Sequence, residues 1–548
     1  MNDRQIDGII NTLKGTAWQV DMSFCLYDAY GYIGDLASNY GLELMSAYAT
    51  RTTKEPQVKK FFKKGCAPVT KELITGLKAI NCPDKDIADT IDNLVNLLAK
   101  CDTVAIISDG TDVVSPELTI HRGTHEIGGS CVELCSNSGN TRLIIDLGLP
   151  LVNADKSPFD WGIHRKSTMS QLLSEKILPS VDGLYENDKP AITAVLLSHA
   201  HLDHYGLLQF VHSDIPLYMN MGTKSLAEVS NVFLNTSVKL DKVKTFEMWQ
   251  PFEVGEFKIT PYLMDHSAPD AAAFLIEADG QRIFYTGDFR GHGRKGILLE
   301  RLTKDPPHHI TYLIMEGSML GRDEGLYPDE NSVEQALHDL ILSHKGLSYI
   351  FTSSQNLDRL VSIYRAARHS GRTLVIDLYT AFVLDKLSII SPVIPQFDWK
   401  GVRVLYSYYH AQKLADLDKP LLYKYKSAKI EFEEIRDAPN DKVLLAKDSR
   451  YFRNVITKLK DSGKAIAIFS MWHGYLEKSD LEQFLESNGI PITEIHTSGH
   501  AYVSQLQMLV NALKPRWVIP IHTFYPEKYS EMFANVIQLN DGETINLC

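Results

Sequence analysis

The feature that most constrains this chain is the hexapeptide His199-Ala200-His201-Leu202-Asp203-His204. It comes after an apolar run, residues 194–197, that is typical of a buried strand. A strand that ends in a tight loop can direct several imidazoles and a carboxylate at one point. Zinc takes imidazole nitrogen at about 2.0–2.1 Å, and one ion needs fewer ligands than this loop offers. The spacing therefore favours two metal ions, about 3.5–4 Å apart, that share the loop. A polar loop with incidental histidines is the competing interpretation.

Three further residues of ligand type follow other predicted strands. His266 comes after an apolar run that ends at Met264, Asp288 follows the strand 283–286, and His522 follows the run 518–521. A single histidine after a strand is more often structural than functional. However, α/β sheets gather their ligands at the edge where the strands end. We therefore expect these residues to join the hexapeptide, and Asp288 can bridge two metals because a carboxylate has two oxygens.

Length, charge and cysteine content limit the class of protein. A chain of 548 residues exceeds one core, so we expect two to four domains. The net charge of −12 argues against a general nucleic-acid coat, although a local basic groove or bound metals can still hold a phosphate. Seven scattered cysteines indicate a reducing compartment, and no apolar stretch resembles a signal or a membrane span. We therefore expect a cytoplasmic protein with no membrane partner.

Changes in residue pattern divide the chain into four predicted segments. Residues 1–112 are predicted to be helical, without visible metal chemistry, and their role stays open, with a protein partner as one option. Residues 113–325 are predicted to form an α/β region with a central sheet, and residues 326–488 a separate α/β unit. Residues 489–548 form a C-terminal stretch with the same pattern as the first α/β region. In the separate unit we expect Ser332 to cap a helix, and strands at 349–352 and 373–376 to flank a helix over 357–367.

Taken together, the motifs resemble those of the metallo-β-lactamase superfamily. The hexapeptide, preceded by Asp146 after an apolar run and followed by His266, Asp288 and His522, is similar to the motif series of that superfamily. The resemblance covers about residues 119–548. It implies an α/β fold: an αββα sandwich with an inserted β-CASP α/β domain at 326–488, here with an added N-terminal helical region.

Other motifs resemble the β-CASP branch, whose members process nucleic acids. Glu316 after an apolar strand is similar to its motif A, and His496-Thr-Ser-Gly-His500 is similar to motif B of the ribonuclease J group. His522 stands at motif C, where a histidine accompanies RNA substrates. The segment 352–359 resembles the phosphate-contacting loop of the family, but Asp358 stands where a histidine is usual. An acidic residue there is expected to weaken affinity for a terminal phosphate.

The resemblance also implies roles for individual residues. One zinc ion is expected on His199, His201 and His266, a second on Asp203, His204 and His522, and Asp288 is expected to bridge them, with manganese or magnesium as alternative ions. His500 is expected to contact the scissile phosphate or to protonate the leaving group, Glu316 to orient His500, and Asp146 to hold a ligand histidine. Expected substrate contacts are Ser498, Gly499, Ser353, Ser354 and Arg359.

The sequence thus predicts a zinc-dependent ribonuclease that attacks phosphorus with an activated water, on RNA that is single-stranded. Three alternatives stay open: a DNA nuclease of the same branch, a metallo-hydrolase of a small-molecule or lipid ester, and a non-catalytic scaffold. The oligomeric state is also open. Tyrosines and lysines alternate between 406 and 429, which fits either stacking on a single strand or a β-strand pair with one polar face.

Overall fold

The computed structural model of the protein describes residues 115–547, apart from 154–156 and 235. The helices that we predict within residues 1–112 lie outside this range. The first strands of the described chain are β1 (Glu117–Arg122), β2 (Cys131–Cys135), β3 (Arg142–Ile145), β4 (Ala194–Leu196), β5 (Leu217–Met219) and β6 (Val243–Thr245). The next strands are β7 (Phe252–Val254), β8 (Phe257–Leu263), β9 (Ala272–Ala278), β10 (Gln281–Tyr285) and β11 (Tyr312–Glu316).

The remaining strands belong to three different sheets. They are β12 (Leu347–Phe351), β13 (Thr373–Asp377), β14 (Val402–Leu405), β15 (Lys429–Ile430), β16 (Lys442–Ala446), β17 (Ala465–Phe469), β18 (Ile492–Glu494), β19 (Trp517–Ile521) and β20 (Glu543–Asn546). The first sheet has the order β20-β1-β2-β3-β4-β5-β6, and the second has the order β19-β11-β10-β9-β8-β7. The third has the order β15-β14-β13-β16-β12-β17-β18, and all its strands are parallel.

Helices lie between these strands. They are α1 (Trp161–His164), α2 (Met169–Ser174), α3 (Leu202–Tyr205), α4 (Met221–Phe233), α5 (Ile297–Lys304), α6 (Glu330–Ser343), α7 (Leu357–His369), α8 (Leu378–Leu387), α9 (Tyr408–Leu417), α10 (Lys419–Lys424), α11 (Phe432–Asp437), α12 (Arg450–Leu459), α13 (His473–Glu477), α14 (Leu481–Ser487), α15 (Val503–Leu513) and α16 (Tyr529–Met532). Among the described residues, no helix is both long and apolar enough to cross a membrane.

The first two sheets pack against each other. Leu143 and Ile145 of β3 enter the core between the sheets, together with Phe274 of β9. Since side chains alternate along a strand, the next residue, Ile144, faces the opposite side, where α2 and α4 cover the sheet. On the outer face of the second sheet, Phe284 packs in the same way against α5 and α15. Two sheets between two helical layers agree with the predicted αββα sandwich.

The third sheet is inserted between two neighbouring strands of the second. β11 and β19 pair in parallel, and the chain between them forms the whole third sheet. Its strands are buried apolar runs, as expected for parallel strands that are covered on both faces. α7 and α8 cover one face, and α12 and α14 cover the other. This is an inserted α/β unit. Its last strand, β18, lies beyond residue 488, where the sequence predicts that the unit ends.

One local prediction for this unit is wrong, and one of the two open interpretations of the tyrosine-rich stretch is excluded. Asp329, not Ser332, caps α6: its carboxylate accepts a hydrogen bond from the Ser332 backbone N–H at 2.7 Å, and Ser332 lies in the first turn. The tyrosine-rich stretch forms neither strand of a β pair, because it folds into α9 and α10. The β propensity of tyrosine depends strongly on context, and here Ser407 begins a helix by capping it.

Candidate metal centre

The first sheet brings two loops together at the ends of β3 and β4. Asp146 directly follows β3 in a left-handed conformation (φ 59°), and the histidine hexapeptide follows β4. The hexapeptide leads into the short helix α3, so that His204 is buried while His201 and Asp203 stay partly exposed. Four ligand-type side chains thus come from one turn, and two of them border the open side.

The second sheet supplies the ligand-type residues that are distant in sequence. β10, β11 and β19 are parallel neighbours, and Glu316 pairs with Ile521 at their common end. Asp288 follows β10 and His522 follows β19, again with a left-handed backbone (φ 54°). Gly287 precedes Asp288 with φ +54°, and a Cβ there would approach the Ala272 carbonyl to 2.9 Å. The parallel pairing therefore places these side chains at one sheet edge, as the sequence predicts.

Asp288 lies at the centre of the assembled side chains. Its Oδ2 is 3.1 Å from the Nε2 of His204 and 3.7 Å from the Nε2 of both His199 and His522. Three groups have ligand atoms within 4.8 Å of one another. Two are rich in histidine: His199, His201, His266 and Asp288, and Asp203, His204, Asp288 and His522. The third joins Asp288 to Glu316 and His500. We call the seven residues of the two histidine-rich groups the histidine–aspartate cluster. The structure brings together all seven residues that the sequence singles out as metal ligands.

Several buried atoms of this cluster have no hydrogen-bond partner. Nε2 of His199, Nε2 of His522 and Oδ1 of Asp288 are all buried and unsatisfied. A buried polar atom without a partner is costly, by roughly 1–3 kcal/mol each. Imidazole nitrogen and carboxylate oxygen are donors that zinc takes. The donor set and its unsatisfied atoms therefore fit metal ions in this cluster.

Hydrogen bonds outside the cluster orient its imidazoles. Asp146 is fully buried, and its Oδ2 accepts the Nδ1 proton of His204 at 2.8 Å. Ser198 Oγ donates to the same carboxylate at 2.7 Å and lies 3.0 Å from Nδ1 of His199. Nδ1 of His266 donates to the Gly499 carbonyl at 2.6 Å. These partners favour protons on Nδ1 of His199, His204 and His266 and direct the Nε2 atoms of these rings to a metal, which is the usual arrangement around metal-bound histidine. His522 differs, because its Nδ1 accepts the Gly128 N–H at 3.2 Å.

Burial and charge set the ionisation of the cluster's side chains. Against the effect of burial, Asp288 and Asp146 hold the pKa of His204 well above normal, so this imidazole must lose a proton to bind a metal. Burial lowers the pKa of His201 to about 4 and holds the pKa values of His199 and His266 well below normal, so these imidazoles are neutral. Burial opposes the charge on Asp288, but His204 and His522 hold its pKa well below normal. Neutral imidazoles and ionised carboxylates are the metal-binding forms of these side chains.

His500 and Glu316 stand next to the cluster. Nδ1 of His500 is 3.3 Å from Oε1 of Glu316 and 3.7 Å from Oδ2 of Asp288. Burial opposes a charge on His500, yet Glu316 and Asp288 raise its pKa above the usual value. His500 is partly exposed. A protonated imidazole on the open side can donate to a substrate oxygen, which suits the role expected for it.

The expected substrate contacts divide into two sets. Ser498 and Gly499 lie beside the cluster: Ser498 Oγ accepts the His500 N–H, and the Gly499 carbonyl binds His266. Ser353 is exposed. Ser354 is buried and bonded to Thr380, and Arg359 is fully buried, with its guanidinium on Glu330 and Ser470. The buried positions of Ser354 and Arg359 argue against direct substrate contacts, because both side chains are already committed to the interior.

A buried charge network links the cluster to the inserted unit. Arg290 is fully buried, donates to the Ser498 carbonyl at 2.7 Å, and forms an ion pair with Asp358 at 2.6 Å. Lys295 contacts the other oxygen of Asp358 at 3.0 Å. Against the effect of burial, Lys295 and Arg290 lower the pKa of Asp358 to about 2. Asp358 is therefore engaged by two cations. Sequence reasoning missed Arg290, since only its place two residues after Asp288 pointed to the site.

Replacing Arg290 with methionine should destabilise the protein. Asp265 and Asp358 would stay buried with only Lys295 as a cation, and breaking a buried pair from one side costs about 3–5 kcal/mol. We expect a clearly lower midpoint of thermal unfolding than for Arg301→Met, a matched change at an exposed arginine of α5. Equal midpoints for the two variants would contradict the structural importance of the network.

Metal removal should also lower stability. An ion that binds only the folded cluster contributes about 4 kcal/mol at a free concentration of a thousand times its Kd. We expect a chelator to lower the unfolding midpoint and added zinc to restore it. The double variant His199→Ala, His522→Ala should lose this response. A wild-type midpoint that is insensitive to both additions would argue against a metal in the cluster.

Comparison with known proteins agrees with this geometry. A family model described as "Beta-lactamase superfamily domain" matches residues 176–324, and one described as "Zn-dependent metallo-hydrolase RNA specificity domain" matches residues 491–545. Ribonuclease J of Mycoplasma pneumoniae is 23% identical over 386 residues, which cover 66% of this chain and 62% of the relative. Ribonuclease J of Sinorhizobium meliloti is 25% identical over 406 residues, covering 68% and 66% respectively. The matches thus span somewhat under two thirds of these relatives.

A solved structure shares the fold. The crystal structure of a protein of unknown function from Enterococcus faecalis matches with a TM-score of 0.63 and 22% identity, over 79% of this chain and 99% of the other. This likeness concerns the fold alone. The family matches and the cluster at the strand ends lead to one conclusion: the chain belongs to the metallo-β-lactamase superfamily, carries an RNA-specificity domain of the β-CASP type, and has bacterial ribonuclease J proteins as distant homologues.

Proposed function

We propose that the protein is a zinc-dependent ribonuclease, similar to ribonuclease J, that hydrolyses phosphodiester bonds in single-stranded RNA. The observation that carries this proposal is the convergence of five imidazoles and two aspartates on one point, with Asp288 in both groups. The RNA-specificity match at 491–545 contains His500 and His522, so it covers the part of the chain that completes the centre. The name of the distant relatives, ribonuclease J, supports the same substrate class.

The donor set of the cluster can be divided between two ions. His199, His201 and His266 would hold one, and Asp203, His204 and His522 would hold the other, with Asp288 bridging. Bound zinc supplies a Lewis acid and lowers the pKa of a coordinated water towards neutrality. Manganese or magnesium could replace zinc in the cell.

The chain's own residues would position the substrate and move the proton. His500 would donate a proton to the leaving oxygen, because its raised pKa favours the protonated form and it lies on the open side. Glu316 would hold the His500 ring through Nδ1, so that Nε2 is directed at the substrate. Ser498 fixes the backbone of His500 by accepting its N–H. The loop 496–500 thus forms the wall of the site that faces the phosphate.

The domain division follows from the same proposal. Residues 113–325 and 489–548 would form the catalytic sandwich, and residues 326–488 the inserted unit that forms the second wall of an RNA cleft. A small ester needs no such wall, which favours a polymer. Residues 1–112 would serve another purpose, such as binding a protein partner.

The decisive experiment is hydrolysis of end-labelled RNA by the purified full chain, with DNA of the same sequence beside it. We expect cleavage of single-stranded RNA and much slower cleavage of DNA. RNAs with a 5′-monophosphate or a 5′-hydroxyl should be compared, because the product ladder separates end-dependent from internal cleavage. Equal cleavage of duplex DNA would reject the RNA assignment. Hydrolysis of small esters with no cleavage of either polymer would reject the nuclease assignment.

A further inference from the structure

Two aromatic side chains stand exposed at the strand ends of the inserted unit. Trp472 directly precedes α13 and Tyr475 lies within it, close after the end of β17. Their exposed fractions are 39% and 54%. The rings meet edge to face with 5.5 Å between centroids. Gly474 lets the indole fold back onto the helix, since a Cβ there would lie 2.3 Å from the Trp472 ring. Trp472 thus supports Tyr475 from one edge and leaves its ring accessible.

Cations surround this pair. The Arg322 guanidinium lies 4.7 Å from the centre of the Trp472 ring, and the Lys478 ammonium lies 5.4 Å from it. Lys528 lies 5.0 Å from the ring of Tyr525, which packs against the Gly321 backbone next to Arg322. Within residues 115–547, as far as the structure describes them, none of these three cations has a carboxylate within 4.0 Å. In a chain with a net charge of −12, this is a local concentration of positive charge, in which Glu316 acts on Arg322 from beyond ion-pair distance.

This patch borders the histidine–aspartate cluster. Arg322 lies in the loop that follows Glu316, and Tyr525 comes three residues after His522. The Arg322 guanidinium lies over the Trp472 ring, so the loop after Glu316 meets the segment that carries Tyr475. We call Arg322, Trp472, Tyr475, Lys478, Tyr525 and Lys528 the aromatic–cationic rim.

We propose that the aromatic–cationic rim is a subsite for single-stranded RNA next to the scissile phosphate, with a base stacked on Tyr475 and neighbouring phosphates on Arg322, Lys478 and Lys528. Stacking on an aromatic ring needs an unpaired base with a free face, so the rim would select single strands. Cations without carboxylate partners release counterions when they meet phosphates, which adds affinity without sequence preference. This inference rests on the proposed function, because it assigns to the rim the same substrate as to the metal centre.

The test measures RNA affinity apart from cleavage. In a full-length Asp288→Asn background, fluorescence anisotropy gives the Kd for a labelled single-stranded RNA. We expect Tyr475→Ala to raise the Kd roughly tenfold, the range found when a stacking aromatic is removed, and Tyr475→Phe to restore binding because the ring remains. Trp249→Ala is the matched control: Trp249 is 52% exposed between β6 and β7, and its removal should leave the Kd unchanged. On RNA that lacks the stacked base, the Kd of the Tyr475→Ala protein should lie closer to the Kd of its parent.

Three results would overturn the proposal: an unchanged Kd for Tyr475→Ala, an equal loss for Trp249→Ala, or a loss that is the same on abasic RNA. If Tyr475→Ala fails to fold, the triple variant Arg322→Gln, Lys478→Gln, Lys528→Gln takes its place. For this variant, the plot of log K for RNA binding against log salt concentration should have a slope smaller in magnitude by roughly 2 than that of its parent. Each lost phosphate contact on a single strand reduces the slope by about 0.7, and three cations are removed. An unaltered slope would contradict the proposal. Hydrolysis of RNA by the wild type, measured in parallel, tests the proposed function separately, since the rim can fail while the enzyme still cleaves.

Discussion

Asp288→Asn should abolish RNA hydrolysis, with a loss on the order of a thousandfold or more. The carboxylate belongs to both groups of the histidine–aspartate cluster, and asparagine removes its charge while keeping its shape. Metal ions supply several kcal/mol of transition-state stabilisation, and each 1.36 kcal/mol corresponds to a tenfold change in rate. We also expect the metal content per chain to fall, because the bridging negative charge is lost. Turnover and elemental analysis of the same preparation check both results.

The control is Asp241→Asn, the same change at an exposed aspartate. It should keep wild-type turnover and metal content. Circular dichroism and the unfolding midpoint should show that the Asp288→Asn protein is folded. Hydrolysis at the wild-type rate by folded Asp288→Asn protein would reject the cluster as the catalytic centre.

His500→Ala should lower turnover by about a hundredfold to ten-thousandfold while leaving the metal content unchanged. This is the range expected when a positioned proton donor is lost. His500 contacts Asp288 and Glu316 from the side of the cluster, and it forms a separate group with these two carboxylates instead of belonging to either histidine-rich group. The combination of lost turnover and retained metal separates a proton donor from a metal ligand. Turnover on RNA and elemental analysis measure the two effects.

His369→Ala provides the matched control, because His369 is exposed at the end of α7, away from the cluster. It should behave as the wild type. Glu316→Gln should reproduce part of the His500→Ala loss, since the ring would lose the carboxylate that orients it. A His500→Ala protein that loses its metal would reassign this histidine to the ligand set, and one with full turnover would exclude it from the reaction.

The sequence predicted those parts of the centre that depend on strand ends. An apolar run followed by a ligand-type residue is a local pattern, and parallel pairing brings such ends to one edge whatever lies between them. Asp288 and His522 are far apart along the chain, yet β10, β11 and β19 place them side by side. The helices predicted for residues 1–112 stay untested by the described part of the chain.

The features that the sequence did not reveal depend on tertiary burial. Arg359 follows a polar stretch that resembles an exposed loop, but the packing of α6 against α7 buries it on Glu330. Arg290 gives no periodic or motif signal, because its partners come from three separate segments. The tyrosine-rich composition near residue 408 suits either stacking or a strand. The segment is helical because Ser407 caps a helix there, and composition alone does not indicate such a cap.

The account depends on metal ions within the histidine–aspartate cluster, and anomalous diffraction at the zinc absorption edge tests this most directly. Crystals of the full chain grown with zinc should show two anomalous peaks roughly 3.5–4 Å apart, the separation typical of two-metal hydrolases. One peak should lie among His199, His201 and His266, and the other among Asp203, His204 and His522, with Asp288 between them. Active protein whose crystals show no zinc peak in this cluster, or only a peak elsewhere, would contradict the account.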